Sequence, residues 1–377
     1  MKIKLGKTYS SGKLLNEKCV EISNGKFSGF CSGEEYDMDL SSYIIFPGFI
    51  DMHTHGGIGI EANSASFDDL DRLSEFYASN GVAEFCVTTV TDSIENLINI
   101  EHLVSRRISE GTKGANIAGV YLEGPYLSHE YRGAHEEALL AAPNREDIDR
   151  LVAASDGNLR VLAVAPEIEG ALDAIVYAKS KGIKVSAGHS AANCDEAMAG
   201  FDSGADIAIH TYNAMRGLNH REPGFLGAAL ARDDVYAELI CDFVHARPEA
   251  CKIAIKCKGK DKIIYITDSL GTAGLPDGEY KFGPLPVFVK GGVARIAEGN
   301  LAGSSLRLNT AIKNVVEILG IPVEDAMLGV TKNPAEALGM FDKIGSIDPG
   351  KRAHLTVLDD GFNVVMTIVD GKIAYKA

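Results

Sequence analysis

The chain predicts an α/β fold: a (β/α)8 TIM barrel carrying a small β-sandwich domain built from both chain ends. Three observations predict it. Short apolar, β-branched runs recur with helix-periodic segments between them, the pattern of βα units and a parallel sheet. Both ends of the chain carry short alternating runs and hairpin turns instead. Nearly every inner run stops at a residue able to bind a metal or move a proton, which in a barrel of this kind places chemistry at the C-terminal face.

Taken in order, residues 1–46 read as short strands with the turn Asn24-Gly25, and the tail from Gly345 repeats that character through HLTVLDD, a break at Gly361 and VVMTIVDGKIAYK. Each end alone is too small to bury a core, so the two are expected to pair into one domain, 1–46 with 345–377. Residues 47–344 are then expected to form the barrel, the module whose strand ends carry the metal-binding and proton-moving residue types. Its strands are expected in the run through Ile50 and at 83–88, 117–122, 161–165, 184–187, 207–209, 236–240 and 263–266. Between them, segments such as 67–79 and 171–181 repeat apolar residues every three or four positions, as amphipathic helices do. The sequence has no internal repeat or low-complexity tract.

At 377 residues, 46% hydrophobic and 24% charged, the chain suits one barrel-sized core plus a smaller module. No stretch reaches the roughly 18–20 apolar residues of a membrane helix. The N-terminal MKIKLGKTYSSGK lacks an apolar signal core, so a soluble, cytoplasmic protein is expected. Seven cysteines without a C-x-x-C pair argue against a disulfide framework or a thiolate zinc site. A net charge of −15 disfavours nucleic acid and anionic membrane as partners, because the long-range field repels polyanions. An anionic small molecule would need a local basic pocket.

The chemistry is written at the strand ends. PGFIDMHTHGG holds His53 and His55 two apart, and residues i and i+2 of a strand point the same way, so both imidazoles can reach one ion. VYLEGPYL delivers Glu123, SAGHS delivers His189, and AIHTYNAM delivers His210. One histidine ending an apolar strand is ordinarily a hydrogen-bonded core residue; agreement among separate strands is not explained that way. YITDSLGTAG ends in Asp268, a carboxylate inside a barrel that is costly unless it meets a cation, a donor or solvent. Imidazoles and carboxylate without thiolate suit a divalent transition metal, Zn, Fe, Mn or Co. His53, His55, Glu123, His189 and His210 suffice for two ions per subunit sharing Glu123, with one tightly held ion as the alternative.

From Pro47 to the C-terminus these motifs, with YLEGPYLS-x-x-x-RGAH, HTYNAM followed by HREPG, LAGSSL and NPAEALG-x-x-x-x-GSIDPGK, resemble the N-acetylglucosamine-6-phosphate deacetylase family of the amidohydrolase superfamily. The resemblance implies a metal-dependent amidohydrolase that hydrolyses N-acetylglucosamine 6-phosphate to glucosamine 6-phosphate and acetate. It implies Glu123, His189 and His210 as shared metal ligands, and His53 and His55 as the pair found in two-metal members. Asp268 matches the general acid/base, and His135 the residue that polarises the substrate amide. Asn213 and Ala214 match backbone contacts to phosphate, Arg221 and His245 its charged partners, and Ala134, Leu301, Ala302 and Gly303 join the substrate-binding set. Part of the phosphate clamp comes from a neighbouring subunit in relatives, which implies a homodimer. CDFVH departs from the family in carrying Phe243 where glycine is usual after the aspartate.

Read without the family, Arg221 lies in a Gly/Pro-containing segment and offers a planar guanidinium suited to bidentate phosphate binding. His102, His129, His220 and His354 receive no role, and Cys241 and Asp242 are read as supporting residues. A cyclic amidohydrolase using a carboxylated lysine is the main enzymatic rival, but strand four ends AVAPEIEG, with no lysine. A deacetylase for N-acetylgalactosamine 6-phosphate or another N-acyl amide is the alternative that the motifs leave open. A scaffold that has lost its chemistry would lack ligands or the acid/base, and the whole set is present.

Overall fold

The computed structural model describes residues 1–377 apart from Glu34, Gly283, Pro284, Glu298 and Asn300. Eight parallel strands form one sheet in sequential order: β1 (Phe49–Asp51), β2 (Val82–Thr89), β3 (Asn116–Tyr126), β4 (Leu159–Val164), β5 (Lys184–Ala187), β6 (Ile207–Ala208), β7 (Tyr236–Ile240) and β8 (Ile263–Ile266). A helix follows each strand, from Phe67–Ser79 after β1 to Leu308–Glu317 after β8. The caps explain where several begin. Ser66 Oγ accepts from Asp69 N while the Asp69 carboxylate accepts from Ser66 N, a reciprocal box that Asn193 and Glu196 repeat before the helix Cys194–Asp202.

The seam between the first and last strands is closed by side chains and by the loops beyond them. Thr267 donates from N and Oγ1 to the Asp51 carboxylate at 3.3 and 2.6 Å, Asp268 N donates to His53 O at 3.0 Å, and His55 N donates to Ser269 O at 2.8 Å. Closure thereby fixes His53, His55 and Asp268 against one another. Burial pushes the Asp51 carboxyl up to about 7, against the lowering effect of the two Thr267 bonds.

The chain ends interlock as the alternating runs predict. A six-stranded sheet drawn from both ends and a four-stranded sheet drawn from the N-terminal end alone enclose a core that includes Ile3, Val20, Phe27, Ile45, Leu355 and Ile368. The strand Ile44–Pro47 pairs antiparallel with Leu355–Leu358 and parallel with Lys7–Ser10, then passes through Gly48 directly into β1. Gly48 is obligatory at this crossing: a Cβ there would lie 2.4 Å from Ala83 Cβ and 2.7 Å from His354 Cβ. His354, which received no role from sequence, accepts from Asp370 N at Nδ1 and faces buried Glu84 at 3.0 Å through Nε2, tying the C-terminal strands to β2.

Two features depart from expectation. Cys19 and Cys31 are joined in a disulfide, because the hairpin of Cys19–Ser23 with Lys26–Phe30 brings residues 12 apart into cross-strand register. The other five cysteines are free. After β8 the chain also builds a three-stranded antiparallel sheet, Gly278–Phe282, Leu285–Lys290 and Val293–Ile296, packed over Leu270 and Ala302. Lying outside the βα repeat, it was not predicted. No helix among the described residues is long and apolar enough to cross a membrane.

Glu101, in the helix Ile94–Glu110, is fully buried with neither carboxylate oxygen hydrogen-bonded among the described residues, and burial raises its pKa well above the usual range. A carboxyl raised on folding contributes stability that is complete below its unfolded pKa and is lost as pH rises, here by up to about 1.4 kcal/mol per pH unit. Glu101→Met is therefore expected to flatten the fall in stability between pH 5 and 8, measured by denaturant unfolding. An unchanged slope would mean that Glu101 is ionised in the fold.

Candidate active site

At the C-terminal face of the barrel the strand ends bring six predicted residues to one point. His53 and His55 follow β1, Glu123 lies in β3, His189 follows β5, His210 follows β6 and Asp268 follows β8. His53, His55, Glu123 and Asp268 form one cluster and Glu123, His189 and His210 another, the ligand atoms of each lying within 4.8 Å of one another. Glu123 is the member common to both. Its Oε1 faces His189 Nε2 at 3.0 Å and His210 Nε2 at 2.8 Å, and its Oε2 faces His55 Nε2 at 2.8 Å and His53 Nε2 at 3.4 Å. Asp268 Oδ1 lies 3.1 Å from His55 Nε2 and 3.5 Å from His53 Nε2.

The outer face of these rings tests whether the cluster fits a metal. His55 Nδ1–H donates to Thr88 O at 3.1 Å and His189 Nδ1–H to Tyr131 O at 2.8 Å, while His53 Nδ1 is 2.9 Å from Glu238 Oε2. A proton held at Nδ1 leaves the lone pair on Nε2, the atom turned inward in each case. On these three rings the lone pairs converge on carboxylate oxygens, with His53 Nε2 3.2 Å from His55 Nε2; His210, whose Nδ1 has no hydrogen-bond partner among the described residues, brings its Nε2 to 3.0 Å from His189 Nε2. Electron-rich atoms so arranged are stable only around positive charge, and no lysine or arginine lines the cavity among the described residues. The donor set fits a divalent cation.

Without a metal ion, protons must supply that charge: against burial, Glu123 and Asp268 raise His55 to about 9, and Glu238 and Glu123 raise His53 well above its ordinary value. Burial pushes the Asp268 carboxyl up, but His55, His53 and His210 outweigh it and hold it at about 2. Glu123 is likewise held well below its ordinary range, burial being overcome by His53 and His55. His189 is pushed down to about 4 by burial, with His135 and His210 adding to the effect against Glu123.

Backbone strain concentrates here. His189 (φ +43°), His210 (φ +22°), Ala214 (φ +46°) and Asp268 (φ +49°) all occupy the left-handed region that non-glycine residues avoid. Each stands just beyond a barrel strand or in the loop that follows it, where the chain must turn sharply to aim a group at the mouth. Phe243 (φ +62°) explains the family's usual glycine at that position. The turn survives the larger residue: Asp242 Oδ1 accepts from Val244 N and His245 N at 2.9 Å each, and Asp242 Oδ2 lies 2.6 Å from His245 Nδ1.

A cavity of about 220 Å³ opens beside the cluster, lined by every predicted substrate-binding residue except Arg221: Ala134, His135, Asn213, Ala214, His245, Leu301, Ala302 and Gly303. Arg221 is exposed, with Nη1 3.0 Å from His220 Nε2, and does not line the cavity of its own chain. His135 Nδ1 accepts from Thr91 N at 3.0 Å, so its proton sits on Nε2. Sequence reasoning missed Thr91 and Glu238. Glu238 had a signal, a charged residue in the apolar run YAELI; Thr91 had none.

An imidazole–carboxylate centre for divalent metal at the mouth of a (β/α)8 barrel defines a metal-dependent hydrolase, and residues 44–374 match the amidohydrolase family; the chain belongs to that family. Within it, the chain is 40% identical to the N-acetylgalactosamine-6-phosphate deacetylase of Escherichia coli O157:H7, over 88% of each protein. It is 38% identical to the N-acetylglucosamine-6-phosphate deacetylase of Vibrio furnissii, over 94% of this chain and 90% of that one. A mutant N-acetyl-D-glucosamine-6-phosphate deacetylase from Mycobacterium smegmatis, in complex with N-acetyl-D-glucosamine-6-phosphate, superposes with a TM-score of 0.94 at 30% identity, covering 100% of this chain and 99% of that one. The Thermotoga maritima N-acetylglucosamine-6-phosphate deacetylase superposes at 0.92 with 35% identity, covering 100% of both.

Because the cluster exists only in the folded chain, divalent metal should stabilise the fold by about 2.7 kcal/mol at a concentration 100-fold above Kd. Denaturant unfolding with Zn²⁺ or Co²⁺ against chelator measures this. Superimposed curves would mean that the cluster binds neither.

Proposed function

We propose that this enzyme hydrolyses the acetamide of N-acetylglucosamine 6-phosphate, releasing acetate and glucosamine 6-phosphate, as a step of amino-sugar catabolism. The observation that carries the reading is a cavity walled by the metal-fitting cluster, Asp268 and His135, in a chain 38% identical to a deacetylase for this substrate. Glu123, His189 and His210 would hold one divalent ion, and His53, His55 and Glu123 a second. When bound, the metal supplies a water activated at neutral pH and polarisation of the acyl oxygen.

Asp268 takes the proton of the attacking water and delivers it to the departing amine nitrogen. An unactivated amide expels a poor leaving group, so the second transfer is as necessary as the first. His135 keeps its proton at Nε2 because the Thr91 amide donates to Nδ1, and donates it toward the acyl oxygen as charge develops there. Asn213 and Ala214 amides, His245 and Arg221 receive the phosphate. That Arg221 stands outside its own chain's cavity supports its service to a neighbouring subunit, and so a homodimer. Imidazole and carboxylate donors suit Zn²⁺, Fe²⁺, Mn²⁺ or Co²⁺. A charged sugar-phosphate substrate supports a cytoplasmic setting.

A second reading, deacetylation of N-acetylgalactosamine 6-phosphate, is favoured by the 40% identity to an enzyme of that name. Comparing kcat/KM for the two epimers decides between them: a preference for the galactosamine epimer would transfer the assignment, and turnover of neither would end it.

Asp268→Asn is expected to keep fold and metal while lowering kcat at least about 10²-fold, the scale for removing a general acid/base. Near-normal turnover with intact metal would show that another group carries the proton. His53→Asn/His55→Asn protein should hold one ion fewer by elemental analysis, and parental metal content would defeat the two-ion reading. Charge-assisted bonds to phosphate are worth roughly 1.5–3 kcal/mol each. Arg221→Ala should therefore lower kcat/KM for the phosphorylated sugar about 10- to 100-fold and hardly affect unphosphorylated N-acetylglucosamine. Equal losses on both sugars would mean that Arg221 does not read the phosphate.

A further inference from the structure

Glu238 lies in β7 inside the apolar run Tyr236–Ile240 and is fully buried. Its Oε2 is 2.9 Å from His53 Nδ1 and accepts from His210 N at 3.1 Å, while Oε1 has no hydrogen-bond partner among the described residues. The carboxylate makes no ion pair with lysine or arginine among the described residues. An isolated buried carboxylate is costly, and it is retained where it meets a cation directly or through a polarisable bridge. His53 is that bridge. Its ring takes Glu238 on Nδ1 and turns Nε2 toward Glu123 and His55. With Glu238 as acceptor, the Nδ1 proton is held and Nε2 becomes the more basic, ligating atom.

The same oxygen grips the backbone of His210, a residue of the other cluster, held in left-handed conformation at φ +22°. One carboxylate thus sets the ring orientation of a ligand on one side of Glu123 and the main chain of a ligand on the other. The ring of His53 also packs on Tyr121 with centroids 4.8 Å apart, which removes rotational freedom without supplying charge. Orientation by packing and basicity by Glu238 are separable contributions, and only the second depends on the carboxylate.

We propose that Glu238 is a positioning residue that makes His53 a ligand, and that it governs affinity for the ion on the His53–His55 side while leaving the ion held by Glu123, His189 and His210 nearly unaffected. The proposal rests on the two-ion reading of the pocket. Removing a hydrogen-bonding partner of a metal-bound histidine typically costs 10- to 100-fold in metal affinity. The loss is expected to fall on one ion, because the His210 amide can still bond the neutral oxygen of a glutamine.

The test titrates metal-free protein with Co²⁺ alone, following visible absorption and bound metal by equilibrium dialysis, for the parent, Glu238→Gln, Glu238→Asp, His53→Asn and Glu238→Gln/His53→Asn. The parent is expected to bind two ions, Glu238→Gln to retain the tighter and bind the weaker 10- to 100-fold less well, and Glu238→Asp to fall between. The double variant should bind no worse than His53→Asn, because Glu238 acts through that ring. Equal affinity for both ions in Glu238→Gln, or equal weakening of both, overturns the proposal while the parent's two ions uphold the reading beneath it. A parent that binds one ion, unchanged by His53→Asn, overturns both. Far-UV circular dichroism and melting identify a variant that fails to fold, and if Glu238→Gln does, Glu238→Asp supplies the comparison by the same criteria.

Discussion

Everything at the mouth of this barrel depends on Glu123. One buried carboxylate divides its oxygens between two sets of imidazoles, and each set comes from a different part of the chain: the segment after β1, and the turns after β5 and β6. Negative charge and lone pairs gathered on buried side chains are stable only with compensating positive charge. The seam bonds between Asp51 and Thr267 and between His53 and Asp268 fix the geometry in which that charge is received. The fold supplies rigidity and Glu123 supplies the reason for it.

Rigidity has a local cost. The strand ends are forced into left-handed backbone at His189, His210 and Asp268, each roughly 1–2 kcal/mol above an ordinary conformation. The surrounding core sustains this: Ile50, Tyr121, Leu162, Val185, Ile209 and Ile266 are all fully buried, and each such side chain contributes roughly 1.5–3 kcal/mol. Stability made in the barrel is thus expended in aiming a few groups at its rim.

The parts of this architecture that follow from periodicity are legible in the residues. The helix expected at 67–79 is Phe67–Ser79, and the strands at 184–187, 236–240 and 263–266 coincide with β5, β7 and β8, because apolar spacing and burial are two statements of one constraint. The clustered residues His53, His55, Glu123, His189, His210 and Asp268 were legible because a polar residue ending an apolar run has few structural explanations. What could not be read was non-periodic or indirect. The three-stranded sheet after β8 breaks the βα rhythm, and the Cys19–Cys31 pairing arises from hairpin register rather than from a spacing motif. Thr91 holds His135 through its backbone amide, which every residue possesses, and through a hydroxyl 2.8 Å from the same Nδ1, but a threonine 44 residues away in sequence carries no motif that announces the contact. Phe243 shows the converse: a residue unsuited by type to its conformation still holds the turn, because Asp242 organises the loop from the other side.

The junction at Gly48 ties assembly of the site to the order in which the chain is made. The strand that runs into β1, and so aims His53 and His55, has its antiparallel neighbour at Leu355–Leu358, and Phe49 N is bonded to Thr356 Oγ1 across 307 residues. A nascent chain emerging from the ribosome can complete most βα units while that neighbour has yet to be synthesised. The turns carrying His189 and His210 can therefore be shaped during translation, whereas the segment carrying His53 and His55, paired early with β2, gains its second anchor only once the last strands have emerged. Maturation of the pocket is in this sense a late event, gated by the carboxyl-terminal tail.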